Sequence, residues 1–366
     1  PTQNLWELVE IKLGAKESTP DALFTDSPLI SSYVMKNYLE PLDQYYTEAE
    51  KAQYVDVARQ ISTVDGKLYS APLVNSSQVL YYNTAIFDQL GIPRLSKDPK
   101  DRLTWEALVE LAKKVTIDQN NDGTSEVFGL GISQISRPYQ MLTMPLSKGG
   151  QAIGKGGLSV SGILTTDAWI SATQFLSDLF NVHKVSPKGV SASDMLAYFP
   201  SGKVAMLIGP DYNSKAYAAN KDLKWDYAPY PYFAGGKPVT PTGSWHLSIN
   251  KNSKNKDAAA KLIKYLTLVP HSQEFFELDG HLPANKKTLE YVQNNPKYQE
   301  WPFNIFDLLV YESANTAVSR PSTPGYLEYE QLLTNAFEDI RNGANPKQTL
   351  TDTEVRIDRM LQKYSR

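Results

Sequence analysis

Apolar residues recur at three- and four-residue spacing through WELVEIKLGAKE, predicting a helix that ends near a glycine. DALFT then reads as a short buried strand. Ser27 and Pro28 follow it directly, and a Ser at the N-cap with a Pro at the first helical position predicts a helix through about Tyr38, closed by the turn LEPLD. VDGKLYSAPL predicts a hairpin turn into extended chain, and QVLYYN alternates as a strand before the helix TAIFDQLG. Thr104 is placed to cap TWEALVELAKKV, whose Trp105, Leu108, Leu111, Ala112 and Val115 share one face. Strands alternating with helices at this pace imply an α/β fold.

FGLGIS predicts another strand. The Gly-rich stretch GGQAIGKGGLSVSG lacks the spacing of a phosphate loop or a dinucleotide fingerprint and reads as a flexible hairpin. Helices are expected at TDAWISATQFLSDLF and SASDMLAYF, then a strand at VAMLIG. DYAPYPYFAGGKPVTPTG, dense in Pro, Gly and Tyr, reads as loop leading into the strand SWHLSIN. Beyond it the pattern is almost entirely helical, and no internal repeat is visible.

The 366 residues suffice for two domains of ordinary size. With 37 basic against 40 acidic residues and no long run of one sign, charge does not point to nucleic acid or a membrane surface. The absence of cysteine removes disulfides, thiol catalysis and cysteine-ligated metals, and is compatible with an extracytoplasmic protein. No apolar run approaches the roughly 20 residues of a membrane helix, and PTQNLWELVE has no signal-peptide core, so a soluble chain is expected, with or without an export signal removed. The 22 Tyr, 6 Trp and 12 Phe suit stacking on sugar rings, but they serve cores and interfaces equally well.

Catalytic patterns are weak. His183, His246, His271 and His281 form no pair at one-turn spacing, and no GxSxG elbow occurs. A carboxylate pair of the glycosidase type cannot be nominated among 40 acidic residues. In DQNNDGTSE, Asp118, Asn120, Asp122 and Glu126 fall at places one, three, five and nine of an EF-hand-type loop, with Gly123 at place six. Thr124 completes the candidate set for a structural calcium ion. Place twelve, normally a bidentate Glu, is Gly129, and an Asp/Asn/Gly turn without metal explains the run as well. No other cofactor is expected.

Taken in order, several stretches resemble one family, the family 1 extracellular solute-binding proteins of ABC importers, in the maltose-binding branch. TPDALFTDSPLISSYVMKNYLEPLD resembles a strand, helix and "P-L-D" turn; DGKLYSAPLVNSSQVLYYNTAIFDQLGI resembles the "GK-x-x-x-x-P" turn with "YYN" opening a helix; TWEALVELAKKV stands where the family has "TWEEL". FPSGKVAMLIGPD, PTGSWHLSINKNSKNKDAAAKLIKYL, DGHLPANKKTLE and SRPSTPGYLEYEQLL are similar to later motifs of sugar-binding members. The resemblance spans essentially the whole chain. Family members begin with a strand, a helix and a second strand ahead of the helix that LWELVEIKLGAKE resembles, so those elements are expected to lie outside this sequence.

The resemblance implies a type II, maltose-binding-protein-like fold with a helical C-terminal part. One lobe would comprise residues 1–110 plus 251–310 and the other 111–250 plus 311–366, with crossings near 110, 250 and 310 and ligand held in the cleft between them. It implies a non-catalytic carbohydrate-binding component, extracytoplasmic, periplasmic or a cell-surface lipoprotein of a bacterium or archaeon, monomeric, serving membrane permease subunits and no nucleic acid. Glycerol-3-phosphate is an alternative ligand in the same fold, and a carbohydrate-active hydrolase a more remote alternative.

For the ligand site, Trp245 is the leading candidate: it matches the Trp that stacks on sugar in many members, with Gly243 and Ser244 bringing backbone close, and burial between lobes is the alternative. On the first account, Trp245→Ala would remove most binding and leave the melting point nearly unchanged. Asp26 and Ser27 follow the strand DALFT, although a helix cap explains Ser27 fully. Asn75, Ser76 and Ser77 resemble an "NSS" run of glycerol-phosphate-binding relatives, or are a polar turn. Asp211 and Tyr212 follow VAMLIG, Arg320 matches the Arg of an "RP-x-x-P" element, and Tyr139 is a further stacking candidate. Relatives of an alginate-binding type carry a similar loop with calcium as a structural staple.

Overall fold

Strand pairing separates the chain into two compact units in the computed structural model, which describes residues 2–120 and 125–365. The first unit holds the chain up to Ser76, Gly243–Asn295 and Pro321–Tyr326; the second holds Ser77–Thr242, Pro296–Arg320 and the chain from Leu327 onward.

In the first unit, β1 (Ala22–Asp26) is followed by a short hairpin, β2 (Thr63–Val64) and β3 (Lys67–Leu68), and then by β4 (Ala71–Ser76). The hairpin turn places Asp65 and Gly66 at φ 48° and 75°, the left-handed pair that the VDGK pattern predicts. In the second unit, β5 (Gln78–Asn83), β6 (Phe128–Ile132), β7 (Val204–Pro210) and β8 (Trp225–Ala228) form a sheet in the order β6-β7-β5-β8. Only β6 and β7 run parallel; β5 is antiparallel to both its neighbours. The long strand β9 (Thr240–Ile249) pairs antiparallel with β1 and β4 through its Gly243–Ile249 portion. Its first three residues pair in parallel with β10 (Ala317–Ser319) in the second unit.

The first-unit core gathers Leu42, Tyr54, Val74, Leu247, Ile249 and Ile263, all buried, where the helix Lys256–Thr267 packs on the sheet. Burying each such side chain contributes about 1.5–3 kcal/mol. In the second unit the helix Trp105–Val115 buries Trp105, Leu108, Val109, Ala112 and Val115, and the Thr104 hydroxyl accepts the Ala107 N–H at 3.1 Å as the sequence predicts. This helix approaches β6 so closely that a Cβ at Gly129 would lie 2.0 Å from the Ala112 carbonyl oxygen. Glycine is therefore required there by packing.

Several expectations differ from the observed fold. The chain passes between units at Ser76–Ser77, Thr242–Gly243 and Asn295–Pro296, with a brief return over 321–326, and not near 110, 250 and 310. The reason is pairing: β4 joins β9 and β5 joins β7 and β8, so the division falls in the single peptide separating β4 from Ser77. The stretch read as loop contains β8 and the start of β9. The Gly-rich segment forms turns without paired strands; Glu354 fastens its end by accepting the backbone N–H groups of Gly162, Leu164 and Thr165. The helix after β1 spans Leu29–Met35 with Pro28 as its cap residue and no side-chain cap bond. Ser27 instead donates its backbone N–H to the Ser244 carbonyl at 3.0 Å. No helix among the described residues is long and apolar enough to cross a membrane.

Candidate functional site

Seven of the ligand candidates come together in the first unit, because β9 lies between β1 and β4. Trp245 stands opposite Asp26 on one side and Val74 on the other, Ser244 opposite Asn75, and Gly243 opposite Ser76. The Ser76 hydroxyl donates to the Gly243 carbonyl at 2.8 Å. With Ser27 bonded to Ser244, the neighbouring ends of β1, β4 and β9 form one patch of Asp26, Ser27, Asn75, Ser76, Gly243, Ser244 and Trp245. Asp26, Ser27, Asn75, Ser76 and Ser244 are all buried.

Trp245 is partly buried and packs against the first-unit core. Phe24, two residues before Asp26 and on the same face of β1, stacks on it with ring centroids 4.7 Å apart and planes 21° from parallel. Trp6 adds a tilted ring at 6.2 Å. Phe24 was not singled out by the sequence, where it reads as one more core residue of DALFT; its register beside Trp245 depends on a partner strand 223 residues away in sequence, as the Thr25–Ser248 hydroxyl contact on the opposite face also shows.

That opposite face is polar and closed. Thr25, His246 and Ser248 are buried, and His246 Nδ1 lies 3.0 Å from the hydroxyls of both Ser62 and Ser70. Burial pushes the imidazole pKa down to about 3.

The other candidates lie in the second unit. Ser77 and Asp211 are joined twice: Asp211 Oδ1 accepts the Ser77 N–H at 3.2 Å, and the Ser77 carbonyl accepts the Asp211 N–H at 3.0 Å. The Arg320 guanidinium sits 5.4 Å from the centre of the Tyr139 ring, and both residues are buried. Tyr139 therefore offers that face to a cation and not to a sugar. The Tyr212 hydroxyl has its pKa raised, first by burial and then by the neighbouring Tyr139 and Asp211. Three polar residues that sequence reasoning missed adjoin this group. Gln140 donates to Gln78 at 2.6 Å and accepts the Gln134 N–H at 2.6 Å, and Arg137 pairs with Glu330 at 2.8 Å. The signal available was the placement of Gln78 next to Ser77 and of Arg137 and Gln140 beside Tyr139.

Of the calcium candidates, Asp122 and Thr124 lie outside the described residues. Among the described ones, Glu126 accepts the Gln119 N–H at 2.7 Å, and a bridge between Ile117 and Val127 closes the neck of the turn. Asp118 and Asn120 stand between these fastenings. No cluster of three or more His, Asp or Glu suited to a metal occurs among the described residues.

In both units polar side chains gather at strand ends and are held by backbone groups. A binding protein of Brucella abortus is 27% identical over 339 residues, covering 90% of this chain and 77% of its own. A maltodextrin-binding protein of Bacillus subtilis is 24% identical over 360 residues, covering 96% of this chain and 80% of its own. The maltose-bound structure of a T. maritima binding protein superposes with a TM-score of 0.79 at 23% identity, covering 97% of this chain and 88% of that one. The fold is thus maltose-binding-protein-like. Residues 7–269, which carry the whole Asp26–Trp245 patch, match the family of bacterial extracellular solute-binding proteins, and the chain belongs to that family.

Proposed function

We propose that the chain is the carbohydrate-capturing component of an ABC importer. The observation that carries this reading is the β1–β9–β4 register, which sets an aromatic pair beside a contiguous row of buried Asp, Asn and Ser side chains. Sugar recognition needs that combination: an apolar ring for the C–H face of a pyranose and fixed polar groups for its hydroxyls. Relatives named for maltodextrin, galactooligosaccharide and arabinooligosaccharide binding support the ligand class. The role is binding without turnover, by a monomer outside the cytoplasm that delivers its ligand to permease subunits.

A glycerol-3-phosphate-binding relative supports the other ligand considered. Against it, the segments of β1, β4 and β9 carry no Lys or Arg, Asp26 brings a carboxylate, and Arg320 is engaged on Tyr139. A phosphate would meet a negative group in the first-unit patch, so a neutral saccharide fits better.

Calorimetric titration against maltose, maltotriose, galacto- and arabino-oligosaccharides and glycerol-3-phosphate tests the reading. Saturable binding of a neutral saccharide, with the sugar recovered unchanged, is expected. Hydrolysis of the sugar, or binding of the phosphate alone, overturns it.

A further inference from the structure

We infer that the second unit carries a separate site for a small polyanion, in a pocket lined by Ser147, Lys148, Asp167, Ser171, Gly235 and Lys237. None of the ligand candidates lines this pocket, and the inference does not depend on the proposed function. Its scaffold is two stapled turns. The Ser147 hydroxyl, fully enclosed, accepts the Phe233 N–H at 3.0 Å and donates to the Lys237 carbonyl at 2.8 Å. The Ser147 carbonyl in turn accepts the Lys237 N–H at 2.9 Å. The turns approach so closely that a Cβ at Gly236 would lie 2.3 Å from the Ser147 carbonyl oxygen. Glu106 braces the same turn by accepting the Ala234 N–H at 3.1 Å. Lys148, which follows Ser147, and Lys237, which is bonded to it, are therefore carried on adjoining backbone that cannot separate.

Neither lysine has a carboxylate partner among the described residues, whereas Lys51, Lys251 and Lys264 each form an ion pair. Lys148 Nζ lies 4.3 Å from the centre of the Phe233 ring, which steadies the side chain without cancelling its charge. Two like charges on adjoining backbone repel, and an anion shared between them removes the repulsion. One carboxylate lines the pocket, that of Asp167, and it opens the helix Asp167–Asn181, whose first N–H groups offset its charge. Ser171 adds a hydroxyl without a hydrogen-bond partner among the described residues. Lysine ammonium groups are compact point charges suited to phosphate or carboxylate oxygens. The volume of about 590 Å³ is that of a small-molecule site and exceeds a single monoanion. The ligand chemistry is thus a small molecule bearing two or more anionic oxygen groups.

Calorimetric titration of the full chain at low ionic strength tests the site, with pyrophosphate for phosphates, citrate for carboxylates and acetate as the monoanion control. Saturable binding of pyrophosphate or citrate is expected, weakening as added salt screens the lysines, with none for acetate up to about 10 mM. Whichever of the two polyanions binds more tightly assigns the site to phosphates or to carboxylates. Lys148→Gln and Lys237→Gln are each expected to weaken binding about three- to fivefold, and Asp167→Asn to strengthen it about twofold. The double lysine variant should show no saturable binding, with circular dichroism establishing that it is folded. The site is overturned if neither polyanion saturates, if acetate binds as well as they do, or if the double variant binds like the unsubstituted chain.

Discussion

Arg102 and Glu312 form an ion pair at 3.1 Å inside the second unit, with side chains 3% and 0% exposed. The pair closes a polar knot. Arg102 donates to the carbonyls of Pro99 and Tyr230, while Glu312 accepts from the hydroxyls of Thr240 and Thr316. The knot thereby ties the helix Ile305–Asn315 to the start of β9. Removing one member strands a buried charge, so Arg102→Met is expected to destabilise the protein by about 3–5 kcal/mol in urea unfolding. The double variant Arg102→Met with Glu312→Leu should recover much of that loss. A single variant as stable as the original would show that the second unit tolerates an unpaired carboxylate.

Trp245→Ala should cost stability as well as affinity. Read from sequence, Trp245 was expected to be replaceable with little change in melting point. Packed against the first-unit core and two other rings, its loss is instead expected to cost about 1–3 kcal/mol, below the roughly 3–5 kcal/mol of a fully buried aromatic. Thermal melting without ligand measures it. An unshifted melting temperature would mean that Phe24 and Trp6 close over the space.

His246 predicts an acid sensitivity with a defined sign. Its pKa is about 3 when folded and about 6.5 when unfolded, so between these values the unfolded chain holds a proton that the folded one does not. The stabilisation is complete above about pH 6.5 and declines by about 1.4 kcal/mol per pH unit as the pH falls toward 3. Urea midpoints from pH 4 to 8 should show this slope in the unsubstituted chain and a shallower one in His246→Asn. Equal slopes would mean that the imidazole charges without penalty.

Calcium is expected to act on residues 118–126 as a staple and not as a sensor. The neck of the turn is held by the Ile117–Val127 bridge and by Glu126 on the Gln119 N–H, and β6 follows it in place of a helix that could open. EDTA should lower the melting temperature of the unliganded chain and leave saccharide affinity unchanged. An unmoved melting temperature would remove calcium altogether, and a changed affinity would restore the sensor reading.

What was legible in the sequence was local. Alternation at QVLYYN, the Thr104 cap and the Asp-Gly turn each depend on residues within one element, and each appears where expected. The start of β9 was missed because Pro241 and Gly243 look like loop residues, although β10 and β4 supply partners from distant parts of the chain. β8 was hidden in the same way among Tyr and Pro, its strand character coming from pairing with β5. At the candidate site, the polar residues and Trp245 were nameable from motifs, but their adjacency was not. The stacking of Phe24 on Trp245 was likewise invisible, since nothing local distinguishes a phenylalanine pointing into a core from one lying on an indole.

The alternation of β9 sets a rule for how such a patch can change. Trp245 and His246 are neighbours in sequence yet serve opposite faces, one ringed by aromatics and the other by serines. Insertion or deletion of one residue between Gly243 and Trp245 would turn the indole toward Ser62 and Ser70 and bring a polar side chain under Phe24. New ligand preferences on this scaffold must therefore arise by exchanging side chains in place, while the spacing of the strand is inherited unaltered.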